Sequence, residues 1–356
     1  RRVGAPSTTR YRPGRMVTAQ TSISTWRSCF RFNSWVLASL ILASVFITPI
    51  LAVFIAAAGD SGGIWSHLFS TVLPRYVSNT LILMLGVAVV TFVFGVSSAW
   101  LIFRYNFTGR VWFQWMLLLP AAVPAYIIAY TYTDFLEYAG PVQKVFRDFF
   151  GWESAQDYWF PEIRSIGGAM LVMGSVLYPY VHVMARAAFI LTPKSLYEVG
   201  MLSQRSLFWK IGLPLGRPAI AAGLALVLME TISDFGTVEY FAIETLTLGI
   251  FNVWLGMNSL TAAAQISAFS FLFIIALLII EITARARRRY TDTTQRSETF
   301  APKIANLKET TLCWVICSLP ITIGFIVPVA ILAGFVIDGY SLSLNDKVLH
   351  ASKNSL

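Results

Sequence analysis

The chain of 356 residues is 56% hydrophobic and only 13% charged, with a net charge of +9 and a mean hydropathy of +0.65. A soluble chain of this length carries roughly a quarter charged residues, so the composition excludes a soluble globular protein. The basic excess falls in alternate connections between apolar runs, which marks topology and argues against a nucleic-acid interface.

Seven apolar runs follow one another: Trp35–Ala58, Thr80–Phe103, Val111–Tyr132, Ile166–Met184, Ala219–Phe241, Ile266–Ile282 and Thr311–Ile337. A helix needs about 20 residues to cross a ~30 Å hydrocarbon core, and these runs, the short sixth included, are read as membrane helices. None shows the polar–apolar alternation of a barrel strand. The fold expected is therefore all-α, a polytopic membrane helix bundle. Arginines and lysines gather before Trp35 and in Arg104–Arg110, Arg186–Arg217 and Arg285–Lys308, whereas the other connections are richer in acids. By the positive-inside rule the N-terminus and these four segments are expected in the cytoplasm, and the multi-pass chain in a bacterial inner membrane.

Residues 1–34 read as a cytoplasmic tail, with Met16 a plausible start that would make residues 1–15 upstream sequence. The first run is too long for a signal-peptide core and has no clear cleavage site. Pro120 and Pro124 in the third run, and Pro179 in the fourth, predict kinks. The connection Asp134–Arg164, with Trp152, Tyr158, Trp159 and Phe160, reads as a docking surface or as a cap on the bundle. Near the end of the fourth run stand Tyr178, Tyr180 and His182, either interface aromatics or donors to a transition metal.

The segment 195–218 is the most informative. Glu198 lies near its start, Leu202, Leu207, Phe208 and Ile211 supply apolar groups, Arg205 and Lys210 add charge, and Leu213-Pro214 is expected to end it. Such an amphipathic helix either docks a partner or lies in the membrane interface. In the fifth run, Glu230 and Asp234 are four apart and so share a face of one continuous helix, with Glu239 near its outer end and Gly236 a place to unwind. They predict a carboxylate-lined passage for cations, or polar contacts between helices. Cys313 and Cys317 lie one turn apart and read as small buried residues. No Gly-rich phosphate cradle with Lys-Ser/Thr, HExxH or GxSxG occurs, so any ATP hydrolysis is expected from another chain.

Phe46-Ile47-Thr48-Pro49 in the first run is echoed by Phe325-Ile326-Val327-Pro328 in the seventh, and Ser78-Asn79-Thr80-Leu81 by Lys353-Asn354-Ser355-Leu356. The matching order predicts an internal repeat. Residues 35–289 would be a six-helix half, 290–310 a cytoplasmic linker, and 311–356 the start of a second, incomplete half.

Three segments carry a resemblance. Tyr132-Thr133-Asp134-Phe135-Leu136-Glu137-Tyr138-Ala139-Gly140-Pro141-Val142-Gln143, the run from Leu213 to Gly223 (LPLGRPAIAAG) and that from Met229 to Phe241 (METISDFGTVEYF) resemble ferric-iron permeases of the type I ABC importers. Segment 196–220 resembles the loop with which such permeases dock on their ATPase, although Gln204 stands where that pattern has Gly. The resemblance implies a transport subunit, not an enzyme, with ferric iron as cargo and no covalently bound cofactor. It implies as partners a cytoplasmic ABC ATPase dimer that uses ATP, a periplasmic solute-binding protein, and a second permease half or chain. Glu198, Gly200, Arg205, Phe208, Trp209, Lys210, Leu213 and Pro214 would form the ATPase contact, and Glu230, Asp234, Glu239, Tyr178 and Tyr180 are the candidates for the translocation path. Competing readings are the same architecture carrying thiamine or an organophosphonate, and a secondary transporter using Glu230 and Asp234 as a proton relay. An intramembrane aspartyl hydrolase needs its two acids on facing helices, and here they fall on one.

Overall fold

Two long helices, α3 (Leu73–Arg104) and α7 (Ile166–Leu191), pack along each other, and α9 (Leu213–Ser233) packs on both. Small residues let them approach closely. A methyl group at Gly95 would stand 2.8 Å from the Val181 Cβ and 3.0 Å from the Tyr178 carbonyl oxygen, and one at Gly223 would stand 3.0 Å from the Val181 Cα. Lipid tails are as apolar as leucine, so helices in a bilayer associate through such close packing rather than through a hydrophobic drive.

The computed structural model describes residues 34–202, 206–286, 300–339, 350–351 and 353–354. It falls into two units, Arg1–Ala52 and Val53–Leu356. Helix α1 (Ser34–Ala57) is apolar along its length and buries none of its residues. After it come α2 (Ile64–Thr71), α3, β1 (Tyr105–Asn106), α4 (Arg110–Met116), a 3-10 turn Leu119–Ala122, α5 (Ala125–Leu136), α6 (Pro141–Phe150), α7, α8 (Lys194–Leu202), a π turn Phe208–Gly212 and α9. The chain goes on through α10 (Gly236–Tyr240), α11 (Leu246–Phe251) with a π turn Asn252–Gly256, α12 (Leu260–Ala286), β2 (Lys303–Ile304), α13 (Leu307–Ile321), a π turn Thr322–Ile326 and α14 (Val327–Asp338). Among the described residues six helices are long and apolar enough to cross a membrane, or seven if one bent pair counts as a span. The all-α bundle is as expected, and β1–β2 is a single parallel two-residue pairing.

Several helix boundaries differ from the expected runs, and four of them shape the sites described below. The third run is not one helix: Arg110–Ala122 and Ala125–Phe150 meet at 88°. The cause is local. Proline disfavours helix at the residue before it, and Val123, which precedes Pro124, is extended at φ −105°, ψ 124°. The fifth run stops at Ser233 rather than Phe241, because Asp234 is extended at φ −70°, ψ 115°. Leu213-Pro214 does not end the docking segment but opens α9. In the π turn before it the Leu213 N–H donates to the Phe208 carbonyl, five residues back. The Val327 N–H donates likewise to Thr322, immediately before Pro328. A proline clashes with the carbonyl four residues earlier, and a widened turn relieves that clash without breaking the helix. Finally α13 starts at Leu307, not Thr311, because Asn306 and Glu309 form a reciprocal capping box there.

The main core lies between α3, α5, α7 and α9, around Val87, Ile128, Met173, Val181 and Val227. A second cluster, with Ile102, Phe113, Tyr178, Cys313 and Cys317, joins the end of α3 and α4 to α13. The two cysteines are buried packing residues in it. A third cluster, around Leu68, Tyr76 and Ile266, joins α2, α3, α11 and α12.

Candidate docking segment and transport cavity

The docking candidates sit where α3 and α7 end and α9 begins. Lys194 and Glu198 are one turn apart on α8 and pair at 3.5 Å, half-exposed. Behind them Tyr197 is fully buried, and its hydroxyl donates to the Phe189 carbonyl at 3.2 Å. Burial pushes this phenol up to about 12. Gly200 faces Leu207 and Ile211; a methyl there would stand 2.8 Å from the Leu207 Cδ2. Gly200 thus lets α8 fold back against the π turn. Phe208 points inward onto Trp100, with ring centroids 5.2 Å apart, while Trp209 is 64% exposed and Lys210 also faces outward. Leu213 and Pro214 are half-buried at the root of α9. Arg205 lies outside the described residues. Of the expected contact set, Glu198, Trp209 and Lys210 present outward, whereas Gly200 and Phe208 serve the internal packing.

Trp100 was not singled out from the sequence, yet it is the hub of this end. Its ring meets Phe103, Phe189, Tyr197 and Phe208 at centroid distances of 5.7, 5.3, 6.4 and 5.2 Å. Contacts of this kind contribute beyond simple area burial. The available signal was the aromatic run Trp100, Phe103, Tyr105 at the end of a span.

The transport candidates divide. A cavity of about 300 Å³ opens beside the breaks in α4–α5 and α9–α10, lined among others by Pro124, Tyr126, Tyr180, Glu230, Asp234 and Gly236. Its lining contains no lysine, arginine or histidine. Glu230 is exposed on the last turns of α9. Asp234 is not on that helix: its carboxylate accepts the Thr237 N–H at 2.7 Å and the Thr237 hydroxyl at 2.8 Å, capping α10. The two acids thus reach one cavity by way of a chain break, not by sharing a helix face. Gly236 is not the unwinding point either; a methyl there would stand 3.0 Å from the Tyr126 Cβ, so it permits α10 to approach α5.

Glu239 lies beyond the span, on α10, in a neighbouring cavity of about 590 Å³ with Tyr126, Tyr130, Arg164 and Tyr240. Arg164 there stands 5.3 Å over the Tyr240 ring and pairs with Glu137 at 2.5 Å. Tyr178 is elsewhere, fully buried with its hydroxyl donating to the Leu117 carbonyl at 2.8 Å. His182 is buried with Nδ1 2.8 Å from the Ser98 hydroxyl, so Tyr178, Tyr180 and His182 do not converge on a metal. Among the described residues no group of three or more His, Cys, Asp or Glu could hold one. Tyr126, Tyr130 and Arg164 were missed because their approach to α10 depends on the bend at Pro124.

This arrangement of apolar helices, with one span bent at Pro124 and another broken at Asp234, is similar to that of solved ABC-transporter chains. One chain of a bacterial alginate ABC transporter, solved with an alginate-bound periplasmic protein, superposes with a TM-score of 0.54 over 76% of this chain and 99% of that one, at 17% identity. A second structure of an alginate-importing ABC transporter gives 0.55 over 75%, at 20% identity. These share the fold. No protein-family model matches the chain.

The curated relatives are permeases of transport systems. The chain is 25% identical over 224 residues to an Fe(3+)-transport system permease, FbpB 2, of Haemophilus influenzae, and 28% identical over 149 residues to the sulfate transport system permease CysT of Synechococcus elongatus. It is 25% identical over 213 residues to a probable sulfate permease of Chlorokybus atmophyticus. The matches take in 62%, 42% and 58% of this chain, and 40%, 50% and 71% of those proteins. The chain thus spans about two fifths of the length of the ferric relative. By fold and relatives it is similar to permeases of transport systems and to chains of ABC transporters.

Proposed function

We propose that the chain is the membrane permease of an ATP-driven importer of a metal cation, ferric iron being the first candidate. A soluble binding protein would deliver the cargo at the end where α9 breaks. A separate ATPase would dock at Glu198, Trp209 and Lys210 at the other end, which the positive-inside pattern assigns to the cytoplasm. The observation that carries the cation reading is the cavity, which joins Glu230 and Asp234 to Tyr126 and Tyr180 with no basic side chain in its lining. Carboxylate and phenol oxygens are hard donors that suit a hard cation. The ferric relative supports the same reading. The sulfate relatives support an oxyanion as the alternative, but carboxylates lining the path repel a dianion in a low-dielectric setting.

The decisive measurement is uptake into proteoliposomes containing the permease with its ATPase and binding protein. Radioactive ferric iron and sulfate are offered in parallel to the native chain and to Glu230→Gln. Iron uptake that falls at least several-fold in the variant, with sulfate ignored by both, is the expected result. Sulfate uptake that the variant leaves unchanged or increases would replace cation with anion.

A further inference from the structure

The segment between the six-helix half and α13 is tied down where it re-enters the described chain. The Phe300 ring stacks on Phe103 with centroids 6.0 Å apart and meets the Tyr197 ring at a tilt with centroids 5.0 Å apart, and the Arg104 guanidinium stands 5.4 Å from it. Three residues later β2 pairs in parallel with β1, aligning Lys303 with Tyr105 and Ile304 with Asn106. The Ala305 N–H donates to the Asn106 carbonyl at 3.1 Å. The capping box of Asn306 and Glu309 then starts α13 at once, and Lys303 pairs with Glu309 at 2.6 Å. About two turns into α13, the Trp314 indole N–H donates to the Thr108 carbonyl at 3.0 Å. The reading of residues 290–310 as a plain linker does not explain this. A tether needs only length, whereas this stretch spends an aromatic ring, a backbone pairing and a helix cap on one short path.

The path has two ends with different duties. Phe300 touches Tyr197, a buried residue of α8 whose neighbour Glu198 faces outward, and the capping box fixes the first turn of α13. We propose that Phe300 to Glu309 is a strap that positions α8 relative to α13, with Phe300 its positioning residue acting through Tyr197. A displacement of α8 then reaches α13 directly, besides reaching α3 through Trp100. That the displacing force comes from an ATPase rests on the function proposed above; that the strap holds α8 does not. The chemistry agrees with this division. Phe300 is half-buried, so its ring is held by stacking rather than locked inside the core, as suits a joint that moves with its partners.

The test is hydrogen–deuterium exchange on the full chain in lipid nanodiscs, followed by transport in the assembled complex. Three variants are compared with the native chain: Phe300→Ala, Phe300→Tyr, and Ala305→Pro, which removes the donor to Asn106 but keeps the ring. Loss of one aromatic stack should raise exchange in 194–202 and 301–309 about tenfold in Phe300→Ala, and Phe300→Tyr should restore it. Ala305→Pro should raise exchange in 303–309 and, through the slackened strap, in 194–202. Protection along α3, α7 and α9 should not change. In the complex, cargo moved per ATP hydrolysed should fall several-fold in Phe300→Ala and recover in Phe300→Tyr. Unchanged exchange in 194–202 for both disrupting variants overturns the proposal, and so does a uniform rise through α3, α7 and α9, which would make Phe300 an ordinary packing residue. A native complex that shows no ATP-dependent uptake counts against the proposed function, while the exchange data still decide the strap.

Discussion

Where α3 and α7 end, Trp100, Phe103, Phe189, Tyr197 and Phe208 interlock, with Gly200 and Gly212 admitting the elbow of α8 and the π turn. Where α9 ends, the chain breaks at Asp234, α5 leaves its span at Pro124, and cavities of about 300 and 590 Å³ remain between the pieces. The contrast is physical. Aromatic rings packed at tilted and edge-on angles make a dense joint that passes on a displacement because it cannot absorb one. Helix breaks capped by single side chains leave backbone that rearranges at low cost, and polar groups there stay open to water or cargo. The function proposed above, with the chain driven from one end and loaded at the other, would use this asymmetry.

The largest expected effect tests the dense end. Trp100→Ala removes the hub of the aromatic joint and should cost about 3 kcal/mol, read as a lower denaturation midpoint in detergent with loss of protection in 194–202 and 206–212. A cost no greater than that of a helix cap would erase the contrast. Next is the contact that both ends share. Gly95→Val forces a branched side chain into the Val181 backbone region and should cost about 2 kcal/mol by overpacking, by the same denaturation assay. A neutral result would mean that α3 and α7 slide freely.

At the open end, Asp234→Ala should cost only about 1 kcal/mol, since it removes a cap and leaves the core intact. Exchange should quicken in 236–240 alone, and Asp234→Asn should lose less because one acceptor survives. Glu230→Gln should leave the denaturation midpoint unmoved while lowering cation uptake, which would separate cargo contact from packing. The smallest effect is Glu198→Gln. Its pairing with Lys194 is half-exposed, so stability should change by less than about 0.5 kcal/mol. Copurification of the ATPase should fall nonetheless, and unchanged copurification would move the docking site away from α8.

Composition and periodicity alone were enough for the class of fold. Runs of about 20 apolar residues have few solutions in a bilayer other than helices, because every backbone N–H and C=O must be satisfied within the segment. The prolines at 120 and 124 announced a kink, and Glu230, Asp234 and Tyr180 were legible as unusual groups in apolar surroundings. What local pattern could not decide was where helices stop and which residues meet across them. Leu213-Pro214 reads as a terminus, but a π turn carries the helix past it. Asp234 reads as one turn beyond Glu230 on the same face, but its own carboxylate caps the next helix and ends that periodicity. Tyr178 and Tyr180, two residues apart, go to the core and to the cavity because a helix turns about 200° between them. Trp100 and Phe300 are separated by 200 positions in the chain and meet through Phe103 and Tyr197, a proximity set by the packing of α3 on α7 and by the β1–β2 pairing, which no stretch of sequence encodes by itself.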